Sequence, residues 1–156
     1  MRCSIEDIDL VSSILTDDSV FPWIIDDGFD PLTKGKMAEI LLSNPSIYVL
    51  SPNPYSVFVL TPRNAVTYDG HVNVLPAGRG KMALLAERAG ISWMFENTPC
   101  QKIQGWTPAH YKHVLEYHIR VGFKEEGISR KSWLSGGKLY DEILFGIIKT
   151  DWMKGE

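Results

Sequence analysis

Alternating and helical patterns divide the chain into short elements arranged around one longer unit. Between His71 and Leu75, the apolar Val72 and Val74 alternate with Asn73 and Leu75 in an extended pattern. Pro76 then removes a ladder donor, and Gly78 and Gly80 let the backbone turn. Beyond them Met82, Leu85, Ala86, Ala89 and Trp93 recur at helical spacing, with Lys81, Glu87 and Arg88 off that stripe. The pattern predicts a strand, a tight loop and an amphipathic helix.

On the N-terminal side, Ile5, Ile8, Leu10, Val11 and Ile14 predict a short helix capped by Ser4. The stretch 17–33 mixes aromatic and acidic residues with Pro22 and Pro31, and reads as a structured loop. A second short helix is expected over Lys34–Ser43. Strands follow over Ile47–Leu50 and Ser56–Thr61, separated by Ser51-Pro52-Asn53-Pro54. Val66 to Tyr68 resume the extended pattern, and Asp69-Gly70 is either a hairpin turn or a bulge in one long strand. After the central helix, Cys100–Trp106 alternates as a strand. Thr107-Pro108 supplies a cap and first-turn proline for a helix with an apolar face of Tyr111, Val114, Leu115, His118 and Ile119, ending at Gly122. The chain finishes with a hairpin, Phe123–Leu134 and Lys138–Lys149, turning at Ser135-Gly136-Gly137. This order predicts one α+β (α/β-like) domain over residues 1–156, with a mixed sheet and helices on both faces.

The central junction has chemical consequences. The first amides of a helix have no acceptor within it, and glycines let a ligand's oxygens come close to them. Arg79 and Lys81 add positive charge, so the turn outlines a pyrophosphate site. The plain alternative is that the glycines only make a short strand-to-helix connection.

Composition narrows the remaining classes. Residues 1–46 carry nine acids and three bases, a balance of -6, and the remainder carries ten and thirteen, a balance of +3. The second part therefore suits an anion and the first a cation. No Lys/Arg stripe with interleaved aromatics suggests nucleic acid, and no apolar run suggests a membrane span. Cys3 and Cys100 lie far apart in no metal-ligand spacing, so no metal and a cytoplasmic setting are expected.

Leu75-Pro76-Ala77-Gly78-Arg79-Gly80, between a strand and a helix, resembles the acyl-CoA loop of the GNAT N-acetyltransferases, whose pattern is Gln/Arg-x-x-Gly-x-Gly/Ala. The closing block, a helix ending in Val121-Gly122-Phe123 followed by a long hairpin, is similar to the same family. Gly127 to Lys131 with Tyr140-Asp141 looks most like the members that acetylate N-terminal amines of ribosomal proteins. Together the likeness covers roughly residues 65–152.

The resemblance implies the acyl-CoA N-acyltransferase fold: a mostly antiparallel central sheet, helices on both faces and a C-terminal hairpin. It implies acetyl-CoA as co-substrate and an amine of a peptide, protein or small molecule as acceptor. The donor's arm would pair along Val72, Val74 and Leu75, and its diphosphate would meet Gly78, Arg79, Gly80 and Lys81. Tyr111 takes the place of an asparagine that contacts the donor, and Asn73 or Val74 would supply the oxyanion amide. His118 falls where the family places its acidic tyrosine. For the base, His71 is preferred over Tyr68 or Asp69. Trp23, Asp26, Asp27 and Tyr68 would receive the acceptor, the acids attracting its charge. Three positions, Leu75, Tyr111 and His118, depart from the family pattern. They permit a second expectation, a fold retained for binding without turnover. Uncharacterised tailed-phage proteins of this type look similar, which would make a virion or host protein the partner and the virion the location. Exposed terminal strands are available to pair across a homodimer.

Overall fold

A computed structural model of the chain describes residues 1–155. Five α-helices, α1 (Ile8–Leu15), α2 (Met37–Ser43), α3 (Lys81–Asn97), α4 (Lys112–Val121) and α5 (Lys149–Trp152), surround one sheet. Its strands are β1 (Tyr48–Asn53), β2 (Ser56–Pro62), β3 (Thr67–Val74), β4 (Lys102–Pro108), β5 (Lys124–Ser135) and β6 (Lys138–Ile148). They lie in the order β1-β2-β3-β4-β6-β5. Every neighbouring pair is antiparallel except β3 and β4. This is the mixed, mostly antiparallel sheet with a closing hairpin that was expected.

Strand alternation sends successive side chains to opposite faces and creates two cores. On one face Val49, Val57 and Val59 meet Val11, Ile14 and Leu15 of α1 and Ala38 of α2. On the other Leu50, Phe58, Leu60, Tyr68 and Ile103 meet Ala86, Ile91, Met94 and Phe95 of α3, with Val121 from α4 and Trp152 from α5. Ser4 caps the first turn, as its position predicted.

Three local expectations are corrected. Asp69-Gly70 makes neither a hairpin nor a bulge: β3 pairs with β2 in unbroken register from Tyr68↔Pro62 to Val74↔Ser56. Thr107 and Pro108 belong to β4, paired with Ile143 and Glu142 of β6, and the following helix starts at Lys112. Along α3, Met82 is 44% and Leu85 58% exposed, so of the expected stripe only Ala86 is buried and Trp93 packs against the core. The buried face is Ala83, Ala86, Glu87, Gly90, Ile91, Met94 and Phe95. Its first half is small because the helix lies close to the sheet; a Cβ on Gly90 would sit 2.8 Å from the Phe58 ring. Large apolar residues on both sides of α3 make the helical period ambiguous, and close approach selects the small ones.

Candidate active site

The site originates in a broken pairing. β3 and β4 run in register only through Thr67↔Lys102, Tyr68↔Ile103 and Asp69↔Gln104. Gly70 and Gly105 mark the last close approach, where a Cβ on Gly105 would lie 3.0 Å from the Gly70 carbonyl oxygen. Beyond that level β4 follows β6 and β3 follows β2, and the two part. The Leu75 amide donates to the Tyr55 carbonyl at 2.9 Å. Antiparallel alternation therefore turns the backbone of His71 and Asn73 toward β2, and that of Gly70, Val72 and Val74 into the gap. Of the two expected oxyanion donors, the Val74 amide is on the open side. Asn73 is 2% exposed, and its side-chain amide donates to the Val57 carbonyl at 3.1 Å.

A cavity of about 810 Å³ fills the gap and reaches the start of α3. Here the two glycines play different parts. Gly78 is a packing glycine: its amide donates to the Leu75 carbonyl, and a Cβ there would lie 2.5 Å from Tyr55 Cβ. Gly80, at φ +74 with open space where a Cβ would be, is the residue that faces the cavity. Among the described residues, the amides of Gly80, Lys81, Met82 and Ala83 have no protein acceptor, and no side chain caps α3. Arg79 lines the cavity with its guanidinium tied to the Ser19 carbonyl at 3.0 Å, while the Lys81 side chain lies outside it. Leu75 also lies outside, packed with the core under α1 and α2.

On the α4 side, His118 Nε2 and Thr107 Oγ1 are 3.1 Å apart, and Nδ1 is buried without a partner. Burial pushes the His118 pKa down to about 4, so its ring is neutral at pH 7. Tyr117 also lines the cavity and faces Glu87 of α3. Glu87 is 3% exposed, and burial pushes its pKa up to about 7 against the opposing pull of the Tyr117 hydroxyl. The two groups interact, yet neither Glu87 Oε2 nor the Tyr117 hydroxyl completes a well-formed hydrogen bond.

On the opposite side stand His71, Asp69, Gln104 and Trp23. The cleft walls hold the His71 pKa below the ordinary range, which the Asp69 carboxylate only partly offsets, although the residue keeps an exposed surface within the cleft. Asp69 Oδ1 accepts from Gln104 Nε2 at 2.9 Å. Trp23 packs edge-on against Tyr111 at 5.0 Å, and burial raises the Tyr111 pKa. Tyr111 itself precedes the first turn of α4.

The structure thus brings together Val72, Val74, Asn73, His71, Arg79, Gly80, Tyr111, His118 and Trp23. Three expected acceptor residues lie elsewhere. Tyr68 is buried against Tyr48. Asp26 accepts from the Gly28 amide at 2.9 Å. Asp27 accepts from the Gly136 and Gly137 amides at 3.0 and 2.7 Å, fastening the loop to the hairpin turn. Sequence reasoning missed Glu87, Tyr117 and Gln104. Glu87 stands four residues after Ala83 and three before Gly90, and that small-residue spacing was the signal available.

No family model and no curated protein matches the sequence. Solved structures do match. The spermidine N-acetyltransferase of Vibrio cholerae, in complex with CoA and spermine, gives a TM-score of 0.79 over 98% of this chain and 96% of its own at 12% identity. A GNAT-family acetyltransferase from Bacillus anthracis gives 0.74 over 96% and 93% at 16% identity. The likeness is one of architecture: the chain has the GNAT acyl-CoA N-acyltransferase fold.

Proposed function

We propose that this chain is an acetyl-CoA-dependent N-acetyltransferase acting on a primary amine. One observation carries the reading. The open edge of β3, where the Val72 and Val74 amides turn away from β2 beyond the last pair with β4, leads directly to the free amides of Gly80 to Ala83. A peptide-like arm pairs with the first, and a diphosphate fits the second, where the helix dipole and four unpartnered N–H groups favour negative charge. The residues present therefore fit the donor, which supplies an acetyl group activated as a thioester.

The chain's own groups divide the remaining work. The Val72 and Val74 amides, turned into the gap, are the backbone donors available to a developing oxyanion. His71, neutral at pH 7 with its pKa lowered, can take a proton from an incoming ammonium directly or through one water. Asp69 and Gln104, hydrogen-bonded to each other, flank it and present a carboxylate to a cationic acceptor. His118 is neutral and holds no spare proton at pH 7, so it serves the leaving sulfur only as a hydrogen-bonding wall.

Calorimetry with acetyl-CoA and with desulfo-CoA tests the reading: binding near micromolar is expected for both. No binding at millimolar ligand would favour a second reading, a fold kept for binding another protein. The Leu75, Tyr111 and His118 departures and the tether of Arg79 to Ser19 favour that alternative. If the first reading holds, spermidine, aminoglycosides and lysine-rich peptides are acetylated faster than anionic amines, because the carboxylates of Asp69, Glu116 and Glu142 line the cavity, Asp69 sharing its charge with Arg63 at 3.8 Å.

A further inference from the structure

Resting on the acyl-CoA reading above, we propose that Glu87 and Tyr117 form the proton-delivery pair for the leaving sulfur, Tyr117 touching it and Glu87 acting through Tyr117. Helix α3 passes over the open edge with Gly90 against Phe58, and Phe58 pairs with Val72 in β2. Glu87, one turn closer to the start of α3, is therefore level with the Val72 and Val74 amides. It is the one acid on the buried face of α3, among Ala83, Gly90 and Ile91.

The groups around it leave it no other partner. The β2 and β3 residues that share this part of the core and the cavity lining, Phe58, Val72 and Val74, are all apolar. On its own helix the Arg88 guanidinium turns away, to the Val121 carbonyl at 3.1 Å and over the Trp152 ring at 4.5 Å. From α4, Tyr117 faces it, and the neighbouring His118 is engaged by Thr107. Glu87 Oε2, the Tyr117 hydroxyl and His118 Nδ1 are all buried and unpartnered on this one wall. An unsatisfied buried carboxyl beside an unsatisfied phenol is costly unless a third polar group completes the set.

The balanced step is short. As the carbon–sulfur bond breaks, the Tyr117 O–H proton passes to sulfur, and the Glu87 carboxyl proton passes to the Tyr117 oxygen. Glu87 is left as a carboxylate and regains its proton from water after the thiol product leaves. Burial keeps Glu87 partly protonated near neutrality, where an exposed glutamate would have no proton to give.

Titrating the thiol of bound CoA by its thiolate absorbance, in wild type, Glu87→Gln and Tyr117→Phe, tests the placement without an acceptor. At the pH where the thiol ionises Glu87 is already a carboxylate, and a like charge nearby raises the thiol's pKa. Glu87→Gln is therefore expected to lower that pKa by about one unit. Tyr117→Phe removes the donor to sulfur and is expected to raise it. Desulfo-CoA affinity, measured in parallel, is expected to stay within about twofold in all three. A thiol pKa unmoved by Glu87→Gln overturns the proposal. So does a tenfold loss of desulfo-CoA affinity in that variant, which makes Glu87 a partner of the donor's arm. If wild type itself does not bind desulfo-CoA, the acyl-CoA reading fails, and this inference with it.

Discussion

Two polar stretches face each other across the mouth of the cleft and behave in opposite ways. In the loop over residues 17–30, four of the five acids find backbone amides: Asp17 accepts from Ser19, Asp26 from Gly28, Asp27 from Gly136 and Gly137, and Asp30 from Leu32, while Asp18 lies 3.8 Å from the Lys34 ammonium. At the start of α3 the amides of Gly80 to Ala83 find no acid. Most of the loop's acids are satisfied within the protein, whereas the amides at the helix start are not. Formal charge misleads here, since the loop carries five acids of which none lines the cleft, and the cleft holds Asp69, Glu87, Glu116 and Glu142 instead. Counting satisfied hydrogen bonds separates a latch from a binding site better than counting charges.

The sharpest way to break this contrast is to give the helix start an acid of its own. Gly80→Glu should weaken acetyl-CoA at least a hundredfold by calorimetry. Because Gly80 has positive φ, Lys81→Glu is the unstrained companion, expected to lose about tenfold with an unchanged melting temperature. Retained micromolar affinity in both would mean that these amides do not hold the ligand.

Glu87 is a third case, an acid buried with no amide to receive it. Its pKa rises from 4.5 in the unfolded chain to about 7, so the native state holds a proton that the unfolded state has lost, and stability falls as pH climbs through that window. Glu87→Gln should remove that loss, leaving the variant more stable than wild type by about 3 kcal/mol at pH 8 and little changed at pH 4. His118 runs the other way: its pKa drops from 6.5 to about 4, so its contribution is lost as pH falls through that range. Urea unfolding from pH 4 to 8 checks both signs, and a flat difference between wild type and Glu87→Gln would contradict the first.

Smaller effects belong to the loop. Asp27→Ala removes two bonds to the hairpin turn and should destabilise by about 1–2 kcal/mol, with acetyl-CoA affinity unchanged. Asp26→Ala, which loses only a local turn bond, should shift stability by about 0.5 kcal/mol. Neither should alter the ranking of cationic over anionic amines. A changed ranking in either variant would return these acids to the acceptor site.

Local signals were legible wherever one residue type fixes the backbone by itself. Ser4 as a cap, Pro76 ending β3, Gly122 ending α4 and the Gly136-Gly137 turn follow from such rules, and so does the order of strands and helices. The free amides of the glycine turn were also legible, because unpaired amides at a helix start need no tertiary partner to exist. The sequence could not tell Gly78 from Gly80, since the difference is Tyr55, brought in from the neighbouring turn. Nor could it show which face of α3 is buried, because apolar residues lie on both sides and only the approach of Phe58 selects Ala83, Glu87 and Gly90. Proton affinities were hidden for the same reason. Whether Glu87 and His118 carry charge depends on how far distant strands and helices shut out water around them, and that is set only when the chain has packed.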